Sequence, residues 1–141
     1  MIILDTNVVS EPLRPAPEPA VLRWLDAQEP GTLYLTAVNL AELLAGVEAL
    51  PSGRRRVQLE RALGAEVLPL FAGRVLAFDE RAAQAFGRIH SNAQAAGNPI
   101  GFADAAIAAI ARAHGMALAT RCVRDFRGTE LELLNPWDAR P

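Results

Sequence analysis

Lysine is absent: all 14 basic residues of the 141-residue chain are arginine. Schiff-base enzymes and Walker-type phosphate loops both use a lysine amine, so those classes are excluded. Cysteine is nearly absent as well. The single Cys122 rules out an internal disulfide, and two histidines without metal-site spacing argue against a structural zinc site. A reducing cytoplasm is the expected compartment. Excess positive charge is missing too, since 14 basic residues stand against 16 acidic ones and the net charge is -2. Any nucleic-acid contact must therefore come from local patches rather than a global field. Asp5 interrupts the opening apolar run after four residues, and no run reaches the roughly 18 apolar residues of a membrane span. Neither a leader nor a membrane partner is expected.

What remains is the composition of a folding domain. Hydrophobic residues make up 51% and charged residues 21%, with 10 Gly and 10 Pro spread along the chain, which predicts a single domain over residues 1–141. Met1 to Leu4 reads as a buried strand ending at the polar triplet Asp5-Thr6-Asn7. Val21, Leu22, Trp24 and Leu25 follow helical spacing until Pro30-Gly31, and Leu33 to Leu35 form a second strand. Thr36 is placed to cap a helix from Ala37 to about Leu50, and a further helix is expected from Arg54 to Leu63. The segment Val67 to Leu70 is expected to be extended, and Val75 to Phe78 to be a strand leading to Asp79, the cap of a helix through about Ala95. An alanine-rich helix from Ile100 to His114 ends at Gly115, followed by strands at Met116–Ala119 and Leu131–Leu134. Short apolar strands alternating with helices predict an α/β fold with a central, mostly parallel sheet flanked by helices.

In such sheets ligands collect beyond the carboxyl ends of the strands, where Asp5-Thr6-Asn7 and Thr120-Arg121 lie. Glu42 and Asp104 fall on apolar helices, and Asp104 has no basic residue within one helical turn in sequence. A carboxylate on a buried surface is costly unless paired. Arginines from elsewhere or a divalent cation are the two remedies, and hard oxygen donors suit Mg2+ or Mn2+. Asp5 alone reads equally as a helix cap. Cys122 reads as a small, partly buried filler, Trp24 and Trp137 as core or interface anchors, and Arg54-Arg55-Arg56 as a solvated face.

Taken in order, Met1 to Pro12 with its Asp5-Thr6-Asn7, Ala41-Glu42-Leu43, Leu68 to Arg74, Ala103-Asp104, Ala119-Thr120-Arg121 and Asn135-Pro136-Trp137 resemble the PIN-domain ribonucleases, in particular VapC-type toxins of the FitB-like branch. The resemblance implies a PIN fold and a metal-dependent endoribonuclease, the toxin of a toxin-antitoxin system, which cleaves RNA with Mg2+ (or Mn2+) and is held inactive by a cognate antitoxin. It implies that Asp5, Glu42 and Asp104 are catalytic, with Asp5 and Asp104 on the metal and Glu42 joining directly or through water. Thr6, Asn7, Thr120 and Arg121 would line the site.

At the fourth acidic position many relatives carry Asp or Asn after Thr-Arg, whereas this chain has Cys122, a poor ligand for a hard cation. Asp125 is placed to take that role if Val123 to Phe126 is helical. The Cys122 departure also opens an alternative, a catalytically weakened PIN-fold module that binds RNA or an antitoxin/DNA-binding partner. An acid directly after a strand, as at Asp5, also resembles the haloacid-dehalogenase phosphatases, but Asn7 cannot serve as their second acid and their later lysine is missing. Apolar residues on neighbouring helices, Leu22, Trp24 and Leu25 with Leu43, Leu44, Val47 and Leu50, predict a homodimer and an apolar groove for the antitoxin.

Overall fold

A computed structural model describes residues 1–140. Five short strands, β1 (Ile2–Leu4), β2 (Leu33–Thr36), β3 (Val75–Leu76), β4 (Ala117–Ala119) and β5 (Leu133–Leu134), form one sheet in the order β3-β2-β1-β4-β5. Every pairing is parallel, with Ile3 opposite Tyr34 on one side and Leu118 on the other. β1 is therefore central, and both of its neighbours end at the same edge as Leu4.

The helices are α1 (Thr6–Ser10), α2 (Pro19–Asp26), α3 (Ala37–Glu48), α4 (Arg54–Ala62), α5 (Leu68–Leu70), α6 (Glu80–Ala95) and α7 (Phe102–His114). Strand alternation sends successive side chains to opposite faces of the sheet. Ile3 and Leu118 pack with α6 and α7, while Leu4, Leu33, Leu35 and Ala119 pack with Val8, Val9, Leu43, Leu63 and Phe71 on the other face. The alanines of α7, from Ala105 to Ala111, are fully buried, and their small side chains let α7 lie close to both the sheet and α6.

The expected caps are present. The Thr36 and Asn39 side chains each accept from the other's backbone N–H, a reciprocal capping box. Asp79 Oδ1 accepts from Ala82 N–H at 3.0 Å, and Gly115 ends α7 in the left-handed region at φ 63°.

Val67 to Leu70 is not extended. A π-helical turn at Leu63–Val67 continues α4 directly into α5, because Leu63, Val67 and Leu68 all pack on the second core and keep that face turned inward. Pro69 follows the π-helical turn at the second position of α5 and accompanies the end of this helical run at Leu70. The strands expected at Val75–Phe78 and Leu131–Leu134 contract to two residues each, and α7 starts at Phe102 rather than Ile100, since Gly101 is its extended N-cap. Among the described residues no helix is long and apolar enough to cross a membrane. Trp24, Leu25 and Val47, expected as surplus apolar surface, pack on the second core; Leu44 is exposed.

Candidate active site

The acidic site is built from the sheet outward. β1 ends at Asp5, which is 6% exposed, and its carboxylate is held from four directions. Oδ1 accepts from Thr6 N–H at 2.8 Å, so Asp5 does cap α1, and from Asn39 Nδ2 at 3.4 Å. Oδ2 accepts from the Thr120 hydroxyl at 2.7 Å and, at a longer 3.5 Å, from Asn7 Nδ2. The cap and site readings of Asp5 are thus compatible.

Around this carboxylate lies a cavity of about 330 Å³ lined by Asp5, Thr6, Asn7, Ser10, Glu42, Asp104, Cys122 and Asp125. Thr6 on α1 donates its hydroxyl to Glu42 Oε1 at 2.9 Å, which ties the exposed α3 acid to the β1 edge. Asp104 arrives from the first turn of α7. Cys122 and Asp125 come from a 3-10 turn at Val123–Phe126 and its preceding residue, so the condition for bringing Asp125 to the cavity is met. Cys122 is an exposed thiol in the wall rather than a partly buried filler, with its Sγ 3.7 Å from Asn7 Nδ2. It is exposed because Phe126, not Cys122, is the residue of this turn that enters the core.

Two of the expected lining residues stand elsewhere. Thr120 is completely buried behind Asp5, where its hydroxyl donates to the carboxylate and accepts from Cys122 N–H at 3.0 Å. Arg121 lies outside the wall, its guanidinium 5.2 Å from the centre of the Trp137 ring and its N–H donating to Asn7 Oδ1 at 3.2 Å. Arg121 is a residue of the rim.

No arginine neutralises the cavity. The ion pairs among the described residues join Arg14 to Glu11, Arg56 to Glu48 and Glu60, and Arg112 to Glu130. The carboxylates consequently perturb one another. Burial, followed by the charges of Asp5, Asp125 and Glu42, raises the Asp104 pKa to about 6. Burial also pushes Asp5 upward against the pull of its hydrogen bonds from Thr120, Thr6 and Asn39. The Cys122 thiol rises through burial and the neighbouring acids, which keeps it protonated at neutral pH.

Among the described residues no three acidic, thiol or imidazole groups come close enough to grip one ion together. The donor set still fits a hard divalent cation. Mg2+ keeps several waters and needs only one or two direct carboxylates, and these oxygens are acceptors without a cationic partner.

Asn39 is the residue that the sequence reading missed. It is fully buried, and its amide is saturated: Oδ1 accepts from the Thr36 N–H and hydroxyl, and Nδ2 donates to Asp5 Oδ1 and to Thr6 Oγ1 at 3.2 Å. The Thr36-x-x-Asn39 spacing, a capping-box pattern, was the available clue. Glu11 was missed as well. It is buried, accepts from Glu18 N–H at 2.9 Å and pins the proline-rich loop to α1; that hydrogen bond holds its carboxyl below the usual range.

The PIN domain family model matches residues 2–127. The VapC ribonuclease Y4jK of Sinorhizobium fredii is 47% identical over 138 residues, covering 98% of this chain and 99% of that protein. Toxin FitB of Neisseria gonorrhoeae is 44% identical over 137 residues, covering 97% and 99%. The crystal structure of FitAcB from the same organism superposes with a TM-score of 0.94 over 98% of this chain and 99% of its own, at 44% identity. With an all-parallel five-stranded sheet, four carboxylates at its carboxyl edge and full-length relatives of this kind, the chain belongs to the PIN-domain family.

Proposed function

We propose that the chain is a divalent-cation-dependent endoribonuclease, the toxin of a VapBC-type toxin-antitoxin system. The observation that carries this reading is the cavity in which Asp5, Glu42, Asp104 and Asp125 face one another without a basic partner. Like charges gathered in a half-buried cleft destabilise the metal-free fold, which is the arrangement expected where a cation is to be held.

Asp5 and Asp104 would hold the metal, Mg2+ or Mn2+, with Glu42 as a ligand or through water and Asp125 as the further acid in place of Cys122. Such a cation would supply an activated water for attack on a phosphodiester and would offset the charge that develops on phosphorus. The protein's own groups prepare the site. Thr120, Thr6 and Asn39 fix the Asp5 carboxylate in one orientation, and Asn7 adds a longer contact to Oδ2. Thr6 orients Glu42, which keeps an acceptor oxygen free for a water proton. Arg121, parked over Trp137 at the rim, is placed for a scissile-strand phosphate.

The antitoxin occupies a track that leaves this cavity. A second cleft shares Thr6, Ser10 and Glu42 with the acidic cavity and extends along Leu13, Leu43, Val47 and Leu59. It meets at Leu13 a third, apolar cleft between Val9, Leu25, Val67 and Phe71. A partner segment lying there with apolar side chains and ending in an arginine would fill the track and neutralise the acids. The exposed Phe78 and Phe102, with Val75, supply apolar surface for the homodimer.

One observation favours the weakened binding module: among the described residues no three ligand groups converge closely, with Cys122 at the fourth position. Sequencing of RNA ends after induction separates the readings. Ribonuclease action gives discrete new ends that vanish with Asp5→Asn, whereas a binding module leaves the same ends in both strains.

A further inference from the structure

We propose that the segment Arg121–Arg127 carries a phosphate rail for single-stranded RNA alongside the acidic cavity, with Arg124 and Arg127 as its contacts. The inference rests on the ribonuclease reading and adds the means by which an acidic protein grips a polyanion.

The centre of the segment, Val123–Phe126, is a 3-10 turn, and hydrogen bonds spanning three residues run across and just beyond it. Asp125 N–H donates to Cys122 O at 3.0 Å, Arg127 N–H to Arg124 O at 3.3 Å and Thr129 N–H to Phe126 O at 3.3 Å. Side chains three apart in such a winding share a face. The faces separate cleanly. Cys122 and Asp125 line the acidic cavity, while Phe126 and Thr129 are 1% and 3% exposed. Arg124 and Arg127 fall on the third face, both exposed, with Arg121 three residues earlier also exposed.

Arg124 and Arg127 are uncommitted, in contrast to six other arginines of the chain. Arg14, Arg56 and Arg112 are engaged by carboxylates, and Arg55, Arg74 and Arg81 donate to backbone carbonyls. No side-chain hydrogen bond or ion pair among the described residues occupies Arg124 or Arg127. The nearest acids do not neutralise them, since Asp125 faces the cavity and Glu130 is bound by Arg112 at 2.9 Å. A row of free guanidinium groups on the same turn that delivers Asp125 is complementary to a strand whose next phosphate enters the cavity. The four acids of the cavity would otherwise repel that strand.

The test is fluorescence anisotropy of a short, fluorescein-labelled, single-stranded RNA of mixed sequence with the full chain in EDTA, over about 50 to 200 mM salt. For Arg124→Gln/Arg127→Gln the slope of log affinity against log salt falls by about 1.4, at about 0.7 per lost phosphate contact on a single strand. Binding weakens for every sequence alike, and Arg124→Lys/Arg127→Lys retains the slope. An unchanged slope and affinity in the glutamine variant, with its unfolding temperature unaltered, overturns the rail. So does a variant that binds RNA normally but loses its co-expressed partner protein, because the face then belongs to a protein contact. Asp5-dependent cleavage with an unchanged slope removes the rail and leaves the ribonuclease reading intact; a lowered slope without cleavage does the reverse.

Discussion

At the scale of single residues, the site is governed by what each carboxylate is asked to tolerate. Asp104, with a pKa near 6 against an ordinary 3.8, binds its proton more tightly in the folded state than in the unfolded one. Its contribution is therefore favourable while protonated and is lost as pH rises from about 4 to about 6. The metal-free protein should lose thermal stability across that window, and the loss should disappear in Asp104→Asn or when Mg2+ is added. A melting temperature that climbs instead from pH 4 to 6 would contradict the assignment. Asn39 makes the opposite demand, because its amide is saturated. Asn39→Ala strands the Thr36 N–H and releases Asp5, and should cost about 1–3 kcal/mol in urea unfolding while weakening Mg2+ binding in calorimetry. At the fourth position, Cys122→Asp should tighten Mg2+ binding and raise cleavage, whereas Asp125→Asn should reduce both. No change in either variant would mean that Asp5, Glu42 and Asp104 suffice.

At the scale of elements, strands and caps delivered the site, and they were legible in the sequence. Leu4-Asp5, Thr36 and Asp79 each mark a helix cap, and Ala119-Thr120 a strand meeting a polar edge; these boundaries fall where the pattern places them, while the strand before Asp79 stops short at Leu76. The segment from Val67 to Leu70 reads as extended because an apolar run broken by proline looks so when its tertiary partners are unknown, whereas it is helical. The roles of Asn39 and Glu11 were hidden for a related reason. A buried polar side chain is identified by partners distant in sequence, and Asp5 lies 34 residues from Asn39. The 3-10 turn at Val123–Phe126 tests how far an element controls chemistry. Phe126→Ala removes its buried anchor and should destabilise the fold by about 3–5 kcal/mol, a cost typical of such truncations. It should also lower Mg2+ affinity by loosening Asp125; full affinity in the folded variant would show that the turn does not position that acid.

At the scale of the whole molecule, an excess of acid is concentrated where β1, α3, α7 and the 3-10 turn meet, and the surrounding core holds those elements rigidly enough to keep the charges together. Two packed layers, one on each face of the sheet, serve that arrangement: α7 brings Asp104 from one layer and α3 brings Glu42 from the other. The central claim is that this meeting point cuts RNA with a divalent cation. Its most direct test is cleavage of an end-labelled single-stranded RNA by the purified full-length chain, with Mg2+ or Mn2+ titrated from zero, beside an Asp5→Asn variant shown by calorimetry and melting to be folded. The account predicts internal cuts that require the cation, stop with EDTA and disappear in Asp5→Asn. Cutting that persists in EDTA or in the folded Asp5→Asn protein, or no cutting when calorimetry shows the cation bound, would contradict it.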